Sequence, residues 1–150
     1  MTKTRNKMIV TVDAAITVDG THLVLIRRAK PPFQDKLVLP GGHVDETDAT
    51  LLDACVRELA EEIGLVISAD RLSQLVVLNE PGADPRYASR VSVVYRADIS
   101  VDEYRSLNAG SDAASLELAE LATLDRSQVG FDHFDAVLAL RERLANQPVR

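Results

Sequence analysis

The sequence has no tryptophan, one cysteine and three histidines in 150 residues. A single thiol, Cys55, cannot close a disulfide within the chain. Its setting in an apolar run of helical spacing reads as a buried, unreactive side chain. His22, His43 and His133 are too dispersed to give the paired spacing of a zinc site. Long apolar runs are missing as well. The polar, basic residues 1–7 lead into a short apolar stretch broken at Asp13, so neither a secretory signal nor a membrane span is visible. The cytoplasm is the expected location, with no membrane partner. Positive charge is also scarce: 17 Lys and Arg stand against 23 Asp and Glu, a net charge of -6. That balance argues against a nucleic-acid groove or an anionic membrane as the main partner. It leaves room for a phosphorylated small molecule, because a bound divalent cation reverses the local field. Repeats, low-complexity segments and linkers are absent too.

What is present is an ordinary globular composition, 46% hydrophobic and 27% charged, at a length that suits one domain over residues 1–150. A chain of this size buries roughly 70% of its unfolded surface, so a metal is not needed to hold it together and would be there for chemistry. Residues 8–18 and 22–28 are apolar and β-branched around an Asp19-Gly20 turn, the pattern of a hairpin. A proline-containing loop over 29–36 leads to a short strand at 37–39, which Pro40-Gly41-Gly42 interrupts. Leu51, Leu52, Cys55, Val56, Leu59 and Ile63 recur at helical spacing and Gly64 follows as a stop. Residues 71–79 and 89–99 read as further strands, 115–118 as a short last one and 131–145 as a second amphipathic helix. Strands, helix, strands, helix predict a mixed α/β sandwich.

The first helix carries the chemistry. Glu58, Glu61 and Glu62 stand at i, i+3 and i+4, so their carboxylates share one face and repel. A hard divalent cation with oxygen ligands would compensate them; from the carboxylates alone, a solvated acidic face is the plainer reading. Their surroundings decide more. Arg57-Glu58-Leu59, Glu61-Glu62 and Gly64-Leu65, with Gly41-Gly42 upstream, resemble the Nudix box over about residues 41–65. A chance match to its second half in such a chain is on the order of one in a hundred thousand. One departure stands out: Asp48 replaces the usual glutamate, and eight residues instead of seven separate it from Arg57. Asp48 is expected to pair with Arg57, with a helix N-cap role as the alternative.

The resemblance implies a single-domain Nudix fold, a mixed β-sheet sandwich between helices (α/β/α). It implies Mg²⁺ (or Mn²⁺) held by Glu58, Glu61, Glu62 and the carbonyl of Gly41, with Gly42, Asp48, Arg57 and Gly64 as the structural residues of the box. The reaction implied is hydrolysis of a nucleoside diphosphate linked to another group, with Glu58 or Glu61, or a late-loop acid such as Asp112, on the catalytic side. Leu25-Ile26-Arg27-Arg28, Pro32-Phe33, Asp84-Pro85-Arg86 before Val91-Ser92-Val93-Val94-Tyr95, Gly110-Ser111-Asp112-Ala113 and Phe131-Asp132-His133 resemble the ADP-ribose pyrophosphatase-like branch. The tryptophans usual in that branch are replaced by Leu37 and Leu118, both read as core positions. On this basis Arg27, Arg86 and Phe33 are the expected substrate contacts and ADP-ribose the expected substrate, cleaved to AMP and ribose 5-phosphate. Each arginine could equally be a salt-bridged surface residue, Asp112 a turn former, and Phe33 or Phe131 packing; for His133 a cap or a buried hydrogen-bonded role is the plainer reading. The rival functions are a nucleoside triphosphate pyrophosphatase and a non-catalytic nucleotide-sensing module, the latter less expected because all three box glutamates are present and no winged helix is expected within these 150 residues. The family resemblance also suggests a homodimer with a small-molecule nucleotide as ligand.

Overall fold

The computed structural model describes residues 7–110 and 113–147, with the side chains of Ala113 and Ala114 left aside. The strands are β1 (Ile9–Val18), β2 (His22–Arg28), β3 (Leu37–Val38), β4 (Gly41–His43), β5 (Ser73–Leu78), β6 (Arg90–Ile99) and β7 (Ala113–Glu120). The helices are α1 (Leu51–Ile63), α2 (Val101–Arg105) and α3 (His133–Ala145). Among the described residues no helix is long and apolar enough to cross a membrane.

Strand β1 organises the sheet. It pairs in parallel with β6 from Ile9 opposite Arg90 to Val18 opposite Ile99. Its other edge changes partner halfway: Thr11, Val12 and Asp13 face His43, Gly42 and Gly41 of β4, while Thr17 and Val18 face Leu23 and His22 of β2. Strands β3 and β7 flank β2, and β5 flanks β6. Side-chain alternation along β1 then builds two cores, as a pleated strand must. Val12, Ala14, Ile16 and Val18, with Val24 and Ile26 of β2, pack against Ala54, Cys55, Leu59 and Ile63 of α1. On the opposite face Ala15, Leu23 and Leu25 pack against Phe134, Ala136, Val137 and Leu140 of α3. The result is the expected helix–sheet–helix sandwich.

Helix α1 is delimited by local chemistry. Thr50 caps it, its hydroxyl accepting the Asp53 N–H at 3.0 Å. Gly64 ends it in the left-handed region (φ 70°), where its N–H reaches the carbonyl of Ala60.

Three features of the sequence reading are revised. Gly41-Gly42-His43 forms a strand, because β1 leaves an unpaired edge there that the glycine backbone can reach. The last strand extends over Ala113–Glu120 because it pairs along nearly all of β2. Leu37 is buried at 5% exposure as expected, but Leu118 is 38% exposed and does not belong to the core.

Leu59→Ala is therefore expected to cost about 2–5 kcal/mol in urea unfolding, the range for a buried leucine that leaves a cavity. Leu118→Ala should stay below about 1 kcal/mol. Equal costs at the two positions would contradict this division of the core.

Candidate active site

The site is assembled where β1 changes partner. Strand β4 runs so close to its neighbours that side chains are excluded. A Cβ on Gly41 would strike the backbone of Val12 and Asp13, and one on Gly42 would lie 2.6 Å from the carboxylate of Glu58. Helix α1 thus presses its acidic face directly onto a glycine strand, and the Gly41 N–H donates to Glu62 at 2.7 Å.

Arg57 ties the parts together with all of its donors. Its Nε and Nη2 grip Asp48 at 2.9 and 2.7 Å in a two-pronged pair. Nη2 also donates to the His43 carbonyl at 3.1 Å, and Nη1 reaches Glu58 at 3.0 Å and Glu61 at 3.2 Å. The extra residue before α1 is absorbed in the turn ahead of the helix. Asp48 receives the Asp45 N–H and Arg57, while the cap falls to Thr50. The Arg57 guanidinium holds the Asp48 carboxyl down at about 2, helped by that backbone N–H.

The two carboxyls facing the glycines are displaced in the opposite direction. Burial pushes Glu62 up to about 8; the Gly41 N–H opposes this, Glu58 and Asp13 add to it, and Arg28 pulls back. Glu58 is raised as well, by burial first, against the bond from Arg57. Glu61 stays 61% exposed on the same face. As the side chains stand, no three acidic, imidazole or thiol groups among the described residues converge tightly enough to hold a metal, because Arg57 occupies the space between Glu58 and Glu61. The donor set nevertheless fits a hard divalent cation. It is all oxygen, two of its members are charged at a cost where they lie, and the third, Glu61, is exposed and held only by its bond from Arg57. Cys55, 1% exposed and pushed up to about 12 by burial, is an inert neighbour.

Two hollows meet at the Gly41-Gly42-His43 strand. An open groove of about 790 Å³ is lined by Asp45, Arg57, Glu58, Glu61, Glu62 and Gly110. A smaller cleft of about 200 Å³ lies on the other side, with Asp13, Arg28, Asp84, Arg86, Phe131 and His133 in its walls. Its floor is a buried polar chain. Ser92 donates to Asp13, His133 Nε2 lies 3.4 Å from the same carboxylate, and His133 Nδ1 accepts the Leu39 N–H at 3.0 Å. His133 is thus spent on structure. Beside it Arg90 and Asp132 form an ion pair at 2.9 Å, 6% and 3% exposed.

The expected substrate contacts separate. Arg86 is in the cleft, held by Asp84 at 3.0 and 2.8 Å and lying over the Tyr87 and Phe131 rings. Phe33 packs on Phe131 with ring centroids 4.8 Å apart and keeps 37% exposure. Arg27 is elsewhere: it pairs with Glu117 and donates to the Asp35 carbonyl, outside both hollows. Arg28 takes the cleft position in its place. The parity of β2 carries the reason, since Val24, Ile26 and Arg28 alternate onto the α1 side while Leu23, Leu25 and Arg27 alternate away. Asp112 lies outside the described residues. Gly110, whose N–H reaches the Glu62 carbonyl at 2.7 Å, docks the preceding segment against the end of α1.

The NUDIX domain family model matches residues 7–139. Across 93% of its length the chain is 34% identical to the ADPR responsive transcriptional repressor NtrR of Acinetobacter baylyi, of which it spans only about half (55%). Among solved structures, the NUDIX domain of Shewanella oneidensis NrtR complexed with ADP ribose superposes with a TM-score of 0.80 at 28% identity, covering 93% of this chain and 90% of that one. A bifunctional NMN adenylyltransferase/ADP ribose pyrophosphatase from Francisella tularensis, complexed with AMP and a manganese ion, gives 0.75 at 26% identity over 92% of this chain and 42% of that one.

Because the folded protein holds Glu62 near pH 8 and the unfolded chain holds it at the ordinary 4.5, folding takes up a proton between those values. This contribution is complete at the acid end and lost as pH rises toward 8. Thermal melts of metal-free protein should show wild type losing stability from pH 5 to 8 relative to Glu62→Gln, which keeps the bond from Gly41 without the charge. A variant that follows the wild-type profile in parallel would refute the assignment.

Proposed function

This chain belongs to the Nudix family, and from that membership we propose that it is a divalent-metal-dependent pyrophosphohydrolase that cleaves ADP-ribose to AMP and ribose 5-phosphate. The observation carrying the proposal is the acidic face of α1, with Glu58 and Glu62 pressed onto Gly41-Gly42 and opening into a cleft walled by arginine and aromatic side chains. Mg²⁺ or Mn²⁺, held by Glu58, Glu61, Glu62 and the Gly41 carbonyl, would supply Lewis acidity toward the phosphoryl oxygens and toward water.

The chain's own groups do the rest. Arg57 holds the carboxylate of Glu58 from one side and anchors to Asp48 on the other, which orients Glu58 toward the glycine strand. Glu58, held at the glycine strand, is the carboxylate we assign to accept the proton of an attacking water, with Glu61 on the same helix face as the alternative; Asp112 is a further candidate from the sequence resemblance alone. Arg86 and Phe131, with Phe33 packed on the Phe131 ring, form the wall against which the distal part of the substrate would rest. ADP-ribose is favoured over a nucleoside triphosphate because Arg86 and Arg90 are already neutralised by Asp84 and Asp132. The cleft therefore offers polar contacts more than the dense positive charge a third phosphate would call for.

A second reading has one specific observation behind it. The repressor at 34% identity is named as responsive to ADPR, and this chain spans about half of it, so a domain that senses the nucleotide without cleaving it fits the same cleft.

Initial rates at equal free Mg²⁺ on ADP-ribose, dinucleotides and a panel of canonical and oxidised triphosphates separate these readings. ADP-ribose should give the highest kcat/KM, and Glu61→Gln or Glu62→Gln should lower turnover by about a hundredfold or more with the fold retained. A tenfold preference for a triphosphate would overturn the substrate assignment. ADP-ribose binding without cleavage would favour the sensor.

A further inference from the structure

The turn that carries Arg86 is bonded mostly to itself. The Tyr87 N–H donates to the Asp84 carbonyl at 3.2 Å, and the Arg86 N–H donates to the Asp84 carboxylate at 3.0 Å. The Arg86 guanidinium folds back onto the same carboxylate and lies 5.3 Å from the centre of the Tyr87 ring. Among the described residues, one hydrogen bond leaves residues 84–87: the Tyr87 hydroxyl meets His43 Nε2 at 2.8 Å. The two rings stand edge to face, their centroids 5.6 Å apart and their planes at 80°. The sequence reading singled out neither residue.

His43 is a fixed post. It pairs with Thr11 of β1 at the end of β4, and its carbonyl accepts Arg57 Nη2 at 3.1 Å. Its side chain is exposed and stands where the two hollows join, in the walls of both. The turn has a different kind of anchor. Asp84 seats it from below, with a side chain 4% exposed, but one buried anchor leaves a turn able to pivot. The bond from Tyr87 to His43 removes that freedom by joining the turn sideways to the glycine strand. Arg86 travels with the turn, since Asp84 and Tyr87 hold it from within. Where its guanidinium stands relative to the acidic face of α1 is therefore set by the clasp, together with the Phe131 ring 5.7 Å from its Cζ.

We infer that His43 and Tyr87 are a positioning pair: their hydrogen bond clasps the Arg86 turn to the glycine strand and aligns the arginine wall of the cleft with the carboxylates of α1. The inference rests on the nucleoside-diphosphate reading above and adds the two residues that set how the hollows line up for a substrate that bridges them. Their effect is carried through Arg86, so it falls on affinity and leaves the chemical step at α1 alone.

Three substitutions and two measurements test this. Tyr87→Phe keeps the ring and removes the hydroxyl, His43→Ala removes the post, and His43→Gln places an amide where Nε2 stands. Limited trypsin digestion reads the cut after Arg86 against the cut after Arg105 on the exposed α2; calorimetric titration of ADP-ribose, with initial rates in Mg²⁺, reads affinity and turnover. Tyr87→Phe and His43→Ala should each speed the cut after Arg86 by about 3- to 10-fold, the shift from losing one neutral hydrogen bond, and leave the cut after Arg105 unchanged. Each should weaken ADP-ribose binding and raise KM by about the same factor, with kcat within about threefold. His43→Gln should recover most of both, and Tyr87→Phe combined with His43→Ala should be no worse than either alone. The inference is overturned if Tyr87→Phe keeps the wild-type rate of cutting or the wild-type affinity, if kcat falls in place of affinity, or if the two losses add in full. Wild type that does not bind ADP-ribose counts against the substrate reading; the titration is then run with the triphosphate that the panel favours, and the cutting pattern still decides the clasp.

Discussion

The closeness of β4 to both β1 and α1 governs the rest of the site, because a side chain at position 41 would strike the β1 backbone and one at position 42 would displace the Glu58 carboxylate. At Gly42 the nearest atoms to a hypothetical Cβ belong to the Glu58 carboxylate, and at Gly41 they belong to the backbone of β1. That approach takes Glu58 and Glu62 out of water and places them beside the glycine strand, where the Gly41 N–H meets Glu62 and Arg57 meets Glu58. Their raised proton affinities follow from this placement, not from any unusual residue. Arg57 then limits the electrostatic cost by contacting Asp48, Glu58 and Glu61 at once.

The two hollows that meet at this strand divide the work. One is acidic and open, and apart from Gly110 its residues come from one stretch of chain, β4, the loop after it and α1. The other is assembled from distant parts of the chain: Arg28 from β2, Asp84 and Arg86 from the loop before β6, and Phe131 and His133 from the start of α3. The buried Ser92–Asp13–His133 chain and the Arg90–Asp132 pair make its floor rigid, since each buried polar group there has a partner. In the proposed reading, a substrate bridging the hollows would put its pyrophosphate at the glycine strand and its distal sugar on the arginine wall.

The acidic half was legible in the sequence because it is local. Glu58, Glu61 and Glu62 share a face by helical geometry alone, and the pairing of Asp48 with Arg57 survives an added residue because the turn before Thr50 takes up the slack. The other half was less so. Arg27 and Arg28 are adjacent and chemically identical, and choosing between them requires knowing that Val24 and Ile26, not Leu23 and Leu25, pack under α1. The same limit explains Leu118, whose exposure depends on what covers β7, and β4, which exists only because β1 offers it an edge. Alternation in the sequence gives two faces; the packing of the helices decides which is which.

The account stands or falls on whether the acidic face of α1 holds a divalent cation in the geometry that Gly42 permits. Mn²⁺ binding, followed by the loss of the free-ion electron paramagnetic resonance signal, measures this without any turnover. Wild type should bind. Gly42→Ala should keep its circular dichroism, because the new Cβ meets the flexible end of Glu58 and not backbone, yet lose about tenfold or more in affinity as that carboxylate is pushed aside. A Gly42→Ala variant that binds Mn²⁺ as tightly as wild type would contradict the central claim.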